Sequence, residues 1–323
     1  MQGFVMDMKQ ANTAALPALL PPPLKQGDLI AIVSPASKID AALIDAAARQ
    51  LTDEGFRVEV SPHAKGVFGS YSGTAEERLS DLKRAIEKPD VKVILCSRGG
   101  YGAVHLLEGL AELPAPLFRK WLIGFSDITA LHCLWNMKGV ASMHAAMAKY
   151  IGRGKDFEMY TSELAMLTTS PSSPGSEGVF SFFFPTHSLN NHGCFAGRIV
   201  GGNLAVLGGL IGTPFFPDLD GAILFLEDVA EPIYKVERIL WQLRLAGAFE
   251  KISGLLVGQF TEYRPSADHP DMYEMIESFM DGYAFPRAYD IPAGHIEANI
   301  PLLFGVSASV EVEPHGVGLR YDF

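Results

Sequence analysis

The sequence predicts an α/β fold, with a parallel-sheet N-terminal domain followed by a mixed α/β, β-rich C-terminal domain. Three observations carry that expectation. Apolar strand-like runs alternate with amphipathic helices through the first half, as crossover-connected parallel strands require. The alternation breaks at "TTSPSSPGSEG" (168–178), whose composition is that of a linker or mobile loop. The chain then closes on a β-rich tail, "LLFGVSASVEVEPHGVGLRY" (302–321). A length of 323 residues exceeds what one hydrophobic core usually serves, so two domains are expected.

Taken in order, "DLIAIVSPAS" (28–37) is an apolar strand ending at a Ser-Pro turn. "KIDAALIDAAARQLTDEG" follows as a helix, with Leu43, Ala47 and Leu51 one turn apart and Gly55 as its stop. "FRVEVSP" is the next strand, and "TAEERLSDLKRAIEKPD" the next helix, with Leu79, Leu82 and Ile86 on one face. "VKVILCS" (91–97) has the continuous apolar character of a strand buried on both sides, and "RGGYGAVHLLEGL" turns from it into a helix. "WLIGF" then runs directly into "SDITALH". Past the break, "VFSFFFPTHSLNNHG" reads as irregular or edge structure, and "GRIVGGNLAVLGGLIGTPF" is dense in small residues. Strand "GAILFLEDV" precedes helix "IYKVERILWQLRLAGAF", whose stripe is Val236, Ile239, Leu240 and Leu243. Strand "ISGLLVGQF", helix "MYEMIESFMDGY" and strand-like "AYDIPAGH" lead to the tail. The expected divisions are a loose extension at 1–24, an α/β domain at 25–168, a linker at 169–194 and a C-terminal domain at 195–323.

Bulk properties exclude several function classes. A formal charge of −11 argues against a nucleic-acid partner, which needs a basic face. Three scattered cysteines, Cys96, Cys133 and Cys194, make no disulfide framework and fit a reducing compartment. No C-x-x-C or H-E-x-x-H motif occurs, and the histidines lack ligand spacing, so no metal is expected. The "AALPALL" piece near the start is short and proline-broken, a poor signal peptide and no membrane span. A cytoplasmic protein is expected.

Ligands of open α/β sheets bind beyond the carboxyl ends of the strands. Four apolar runs end in conspicuous groups there: Arg98-Gly99-Gly100-Tyr101-Gly102, Ser126-Asp127, Glu227-Asp228 and His295. A hydroxyl, a carboxylate and an imidazole are the parts of a nucleophilic hydrolase, and the order Ser, acid, His recurs in one large α/β hydrolase class. Each residue also has a plainer reading. Ser126 can be a helix N-cap. Glu227 can be a surface turn residue or pair with Lys235 or Arg238, and Asp228 competes for its role. His295 can be a loop histidine, with His144, and less so His132, as its rivals. Gly99 and Gly100 can serve a tight turn, or expose backbone N–H groups as an oxyanion hole together with that of Asp127. "RGGYGAV" lacks the spacing of a dinucleotide fingerprint.

Together these residues resemble the LD-carboxypeptidase family of serine peptidases, which includes the microcin self-immunity proteins. The resemblance rests on "IAIVSPAS", "SRGGYGA", "IGFSDITALH", "GRIVGGNLAVLGGLIGTP", "ILFLEDVAEPIYKVERIL" and "GHIEANIPLLFGV", in family order from about residue 28 to 306. It implies a triad of Ser126, Glu227 and His295, with oxyanion donors at Asp127 and at Gly99 or Gly100. Arg98, Tyr101 and His144 are the candidate substrate contacts. It also implies no cofactor, a homodimer, and a small muropeptide substrate losing its terminal D-alanine in cell-wall recycling. Alternatives are an immunity-type amide hydrolase acting on peptidyl-nucleotide antibiotics, and a non-catalytic small-ligand binding protein. Two departures stand out. His144-Ala145-Ala146 replaces the family's frequent "HGP", and the 170–190 loop lacks a tryptophan, with Phe180 and Phe182 to Phe184 as partial substitutes.

Overall fold

A computed structural model describes residues 18–154, 157–265 and 271–323. In chain order the first half supplies β1 (Leu29–Val33), α1 (Ala41–Asp53), β2 (Arg57–Val60), α2 (Ala75–Glu87), β3 (Val91–Cys96), α3 (Leu107–Ala111), β4 (Trp121–Gly124), α4 (Thr129–Met137), β5 (Ser142–His144), α5 (Ala148–Ile151) and α6 (Phe157–Thr168). The second half supplies β6 (Ser181–Phe184), β7 (Gly193–Asn203), α7 (Leu204–Gly208), β8 (Ile223–Val229), α8 (Ile233–Leu245), β9 (Gly254–Thr261), α9 (Met272–Phe279), β10 (Arg287–Ala288), β11 (Leu302–Phe304), β12 (Ser307–Glu313) and β13 (Gly316–Tyr321).

The predicted α/β class is what forms, as two sheets. The first has strand order β11-β5-β4-β3-β1-β2, with β1 to β5 parallel and β11 antiparallel to β5. The second runs β10-β9-β8-β7-β12-β13-β6 and is half parallel, half antiparallel. Local chemistry explains the helices. Asp40 caps α1 by accepting from the Ala42 N–H, and Thr74 and Glu77 form a reciprocal capping box at α2. Gly55 sits at φ +92° just past α1, a conformation open to glycine at little cost. Among the described residues no helix is long and apolar enough to cross a membrane.

Three boundaries differ from expectation. Residues 18–24 are not loose: Leu19 bridges to Val140, Leu24 is buried, and Pro22 O accepts from Trp121 Nε1 at 3.1 Å. Ala18, Leu20 and Leu24 pack against the apolar core, which outweighs the proline-broken composition; residues 1–17 lie outside the described segments. The 169–194 linker contains β6, the outermost strand of the second sheet, in keeping with edge structure there. Phe180 and Phe184 are buried by it, while Phe183 is 71% exposed. Finally β11, expected in the C-terminal domain, completes the first sheet through Leu302↔His144 and Phe304↔Ser142. The two sheets are thereby stitched together beside the strand ends that carry the polar residues.

Candidate active site

β4 is fully buried, and the chain turns out of it through Phe125, itself 1% exposed, into Ser126. Ser126 has φ +66°, the left-handed region, which costs a non-glycine residue roughly 1–2 kcal/mol. The short helical turn Ser126–Ile128 and helix α4 begin without a side-chain cap. The serine is therefore held in a strained turn and is not spent on capping.

The Gly-rich segment after β3 lies against this turn. A Cβ added to Gly99 would sit 2.7 Å from Ser126 Cβ and 2.9 Å from its Oγ. A Cβ added to Gly100 (φ +112°) would instead collide with the Ser37 side chain at 2.1 Å. So Gly99 is the glycine that faces the serine. Asp127 ties the two loops together: its buried carboxylate accepts from the Ala103 N–H at 2.8 Å. Burial raises its pKa, opposed by that hydrogen bond and by the Arg78 charge.

Glu227 ends the apolar run of β8 and is 0% exposed. Its Oε2 lies 2.7 Å from His295 Nδ1. Gly294 (φ +128°) makes that approach feasible, since a Cβ there would stand 3.0 Å from the same oxygen. Burial pushes the His295 pKa down, but the Glu227 charge and hydrogen bond raise it overall above the ordinary value. The imidazole packs edge-on against Phe125 at 5.0 Å between ring centroids, next to the residue that precedes Ser126. Asp228 faces elsewhere. Its carboxylate accepts from Asn203 Nδ2 and the Ala205 N–H, each at 2.9 Å, bracing the start of α7. Burial, then the Glu227 charge, lifts its pKa to about 6.

The candidate contacts separate. Tyr101 is 51% exposed and lies edge-on to Tyr71 at 4.8 Å; Arg98 donates to Lys38 O at 3.1 Å. His144 does not reach the surface. It is 0% exposed, both ring nitrogens lack hydrogen-bond partners, and it packs among Phe125, Phe225 and Phe304 at 5.4–5.5 Å. Burial, then its neighbours His132 and His295, holds its pKa well below the ordinary value, so it stays neutral. The expectation of a substrate contact there gives way to a packing role beneath Phe125, because Phe225 of β8 and Phe304 of β11 close over the imidazole. His132, the other rival, is 1% exposed with Nε2 2.8 Å from Gly124 O.

One residue escaped the sequence reading. Arg78, 2% exposed, donates to Pro35 O, Gly73 O and Gly102 O at 2.5, 3.2 and 2.9 Å, pinning three loops at the mouth of the site. The signal was present: a charged residue one turn before Leu82, on the apolar stripe of α2.

Residues 30–145 match the family model described as the LD-carboxypeptidase N-terminal domain, and residues 196–310 match the LD-carboxypeptidase C-terminal domain. The murein tetrapeptide carboxypeptidase of Pseudomonas aeruginosa is 30% identical over 292 residues, covering 87% of this chain and 92% of that protein. The microcin C7 self-immunity protein of Escherichia coli is 26% identical, covering 94% of this chain and 96% of that one. The crystal structure of muramoyltetrapeptide carboxypeptidase from Oxalobacter formigenes aligns with TM-score 0.81 and 27% identity, over 91% of this chain and 99% of that chain.

Proposed function

The chain belongs to the LD-carboxypeptidase family, and on that premise we propose that it is a serine-type carboxypeptidase of the cytoplasm, removing the terminal D-alanine from murein tetrapeptides in wall recycling. The observation that carries the reading is the pair of buried Glu227 and partly buried His295, 2.7 Å apart, with the imidazole packed on Phe125 beside the strained Ser126. With Nδ1 turned to Glu227, His295 has Nε2 left to take the proton of Ser126 Oγ. The hydroxyl oxygen attacks the carbonyl of the penultimate residue, and the oxyanion is received by backbone N–H groups of Asp127 and Gly99. His295 returns the proton to the leaving D-alanine amine, and water then hydrolyses the acyl-serine by the same relay. Glu227 fixes the imidazole tautomer and stabilises its cation.

Two measurements test this. Purified protein incubated with a murein tetrapeptide releases D-alanine in the presence of EDTA, and a fluorophosphonate probe labels Ser126. Dependence on added metal, or no label where a control serine hydrolase reacts, sinks the assignment. A strong preference for a peptidyl-nucleotide conjugate would move the chain to the immunity-type reading. Gly99→Ala is expected to fold but to lose roughly 100-fold or more of kcat, as for a lost oxyanion donor, since the new methyl group must displace the Ser126 turn. Retained kcat with unchanged circular dichroism would remove Gly99 from the site.

A further inference from the structure

Hydrolysis at a chain terminus needs more than a nucleophile. It needs a group that distinguishes a free terminal carboxylate from a continuing peptide, and the triad supplies none. Helix α5 begins beside the site. The Lys149 N–H donates to Ser97 O at 2.9 Å, which pins this residue at the carboxyl end of β3, next to Arg98. The following residue, Tyr150, packs on Phe125 at 5.5 Å between ring centroids, and Phe125 in turn touches His295 at 5.0 Å. The Lys149 ammonium lies 5.3 Å from the Tyr150 ring centroid. Lys149 is half-buried, and among the described residues no carboxylate forms an ion pair with Lys149 or Arg98. The Lys149 ammonium thus sits over a ring that leads through Phe125 to His295, and in keeping with that placement Arg98 and Arg153 act electrostatically on Lys149, and Lys149 on His295. A half-buried ammonium beside two guanidinium groups is disfavoured by burial and by like charge, and an anion brought among them relieves both.

We propose that Lys149, flanked by Arg98, receives the free α-carboxylate of the substrate's terminal residue and so makes the site specific for chain ends. The proposal rests on the carboxypeptidase reading and adds the group that sets its specificity. A carboxylate bound at Lys149 would also lie within electrostatic reach of His295, the imidazole that protonates the departing amine in the proposed relay.

The test compares kcat/KM for a tetrapeptide ending in free D-alanine with that for the same peptide ending in D-alanine amide. Wild-type protein is expected to favour the acid. In Lys149→Gln the acid-to-amide ratio falls by roughly 10- to 100-fold, the range of a charge-assisted hydrogen bond, with the loss mainly in KM for the acid. Lys149→Arg, which keeps the charge, retains most of the preference; a merely structural lysine would not show this charge-dependent rescue. Arg98→Gln gives a smaller fall and covers the case in which Lys149→Gln misfolds. An unchanged ratio in well-folded Lys149→Gln overturns the proposal while leaving the function intact. Failure of the wild-type protein to release D-alanine from the acid instead overturns the carboxypeptidase reading itself.

Discussion

Ser126→Ala is expected to abolish turnover, with kcat falling by roughly six orders of magnitude, because the proposed covalent step would disappear and the other two proposed triad members would act only as a unit with the serine. Stability moves far less. Alanine inherits the φ +66° strain without the hydroxyl, so the fold persists and the thermal midpoint shifts little. Ser126→Gly separates the two effects further. Glycine adopts that conformation at little cost, so this variant is expected to unfold at or above the midpoint of Ser126→Ala while being equally inactive. Calorimetry and a D-alanine release assay on both variants provide the check. A serine variant with substantial turnover would remove Ser126 from the chemistry, whatever its backbone geometry.

The second large effect falls on the acid and the base. His295→Ala should lose nearly as much activity as Ser126→Ala. Glu227→Gln should lose about 10⁴-fold, since the amide can hold the wrong imidazole tautomer. The pH profile carries the sign. The proposed relay needs neutral imidazole, so activity is expected above the His295 pKa and is expected to be lost as pH falls through it. Glu227 and its hydrogen bond keep that pKa above the ordinary value despite burial. Removing the carboxylate charge lowers it, so the acid limb of the residual kcat/KM in Glu227→Gln moves to lower pH. Asp228→Asn should be milder, because Asp228 braces α7 through Asn203 and Ala205 and does not contact the imidazole. Should Asp228→Asn be as damaged as Ser126→Ala while Glu227→Gln stays active, the acid is Asp228.

Much of this was legible in the sequence because it is local. Helix periodicity located α1, α2 and α8 from side-chain spacing alone, although Leu79 of α2 and Ile239 of α8 are only partly buried and the phase of α1 is slightly off. Ile44, Ala47 and Leu51 are its buried residues, in place of an expected stripe through Leu43. Apolar runs ending in polar residues picked out the ends of β3, β4 and β8, because a parallel strand must be apolar along its length and can change character only where it leaves the sheet. Alternation along a strand turns Glu227 and Asp228 to opposite faces, and their partners differ accordingly, His295 for the one and Asn203 with Ala205 for the other.

Pairing between distant segments was decided only in three dimensions. Nothing near residues 302–304 says that this strand joins the first sheet, yet that pairing brings Phe304 against His144, which is buried and neutral. Residues 18–24 likewise look like a loose tail until the apolar surface beneath Leu20 and Leu24 is known. The roles of Arg78 and Lys149 depend on which loops converge around them, and convergence is a property of topology. Sequence by itself determined the residue types and their places at strand ends, because helix and strand periodicities are fixed by backbone geometry within a few residues. Tertiary structure decided which of those ends meet, because burial and charge pairing are set by neighbours far along the chain, 68 residues for Glu227 and His295 and 158 for His144 and Leu302.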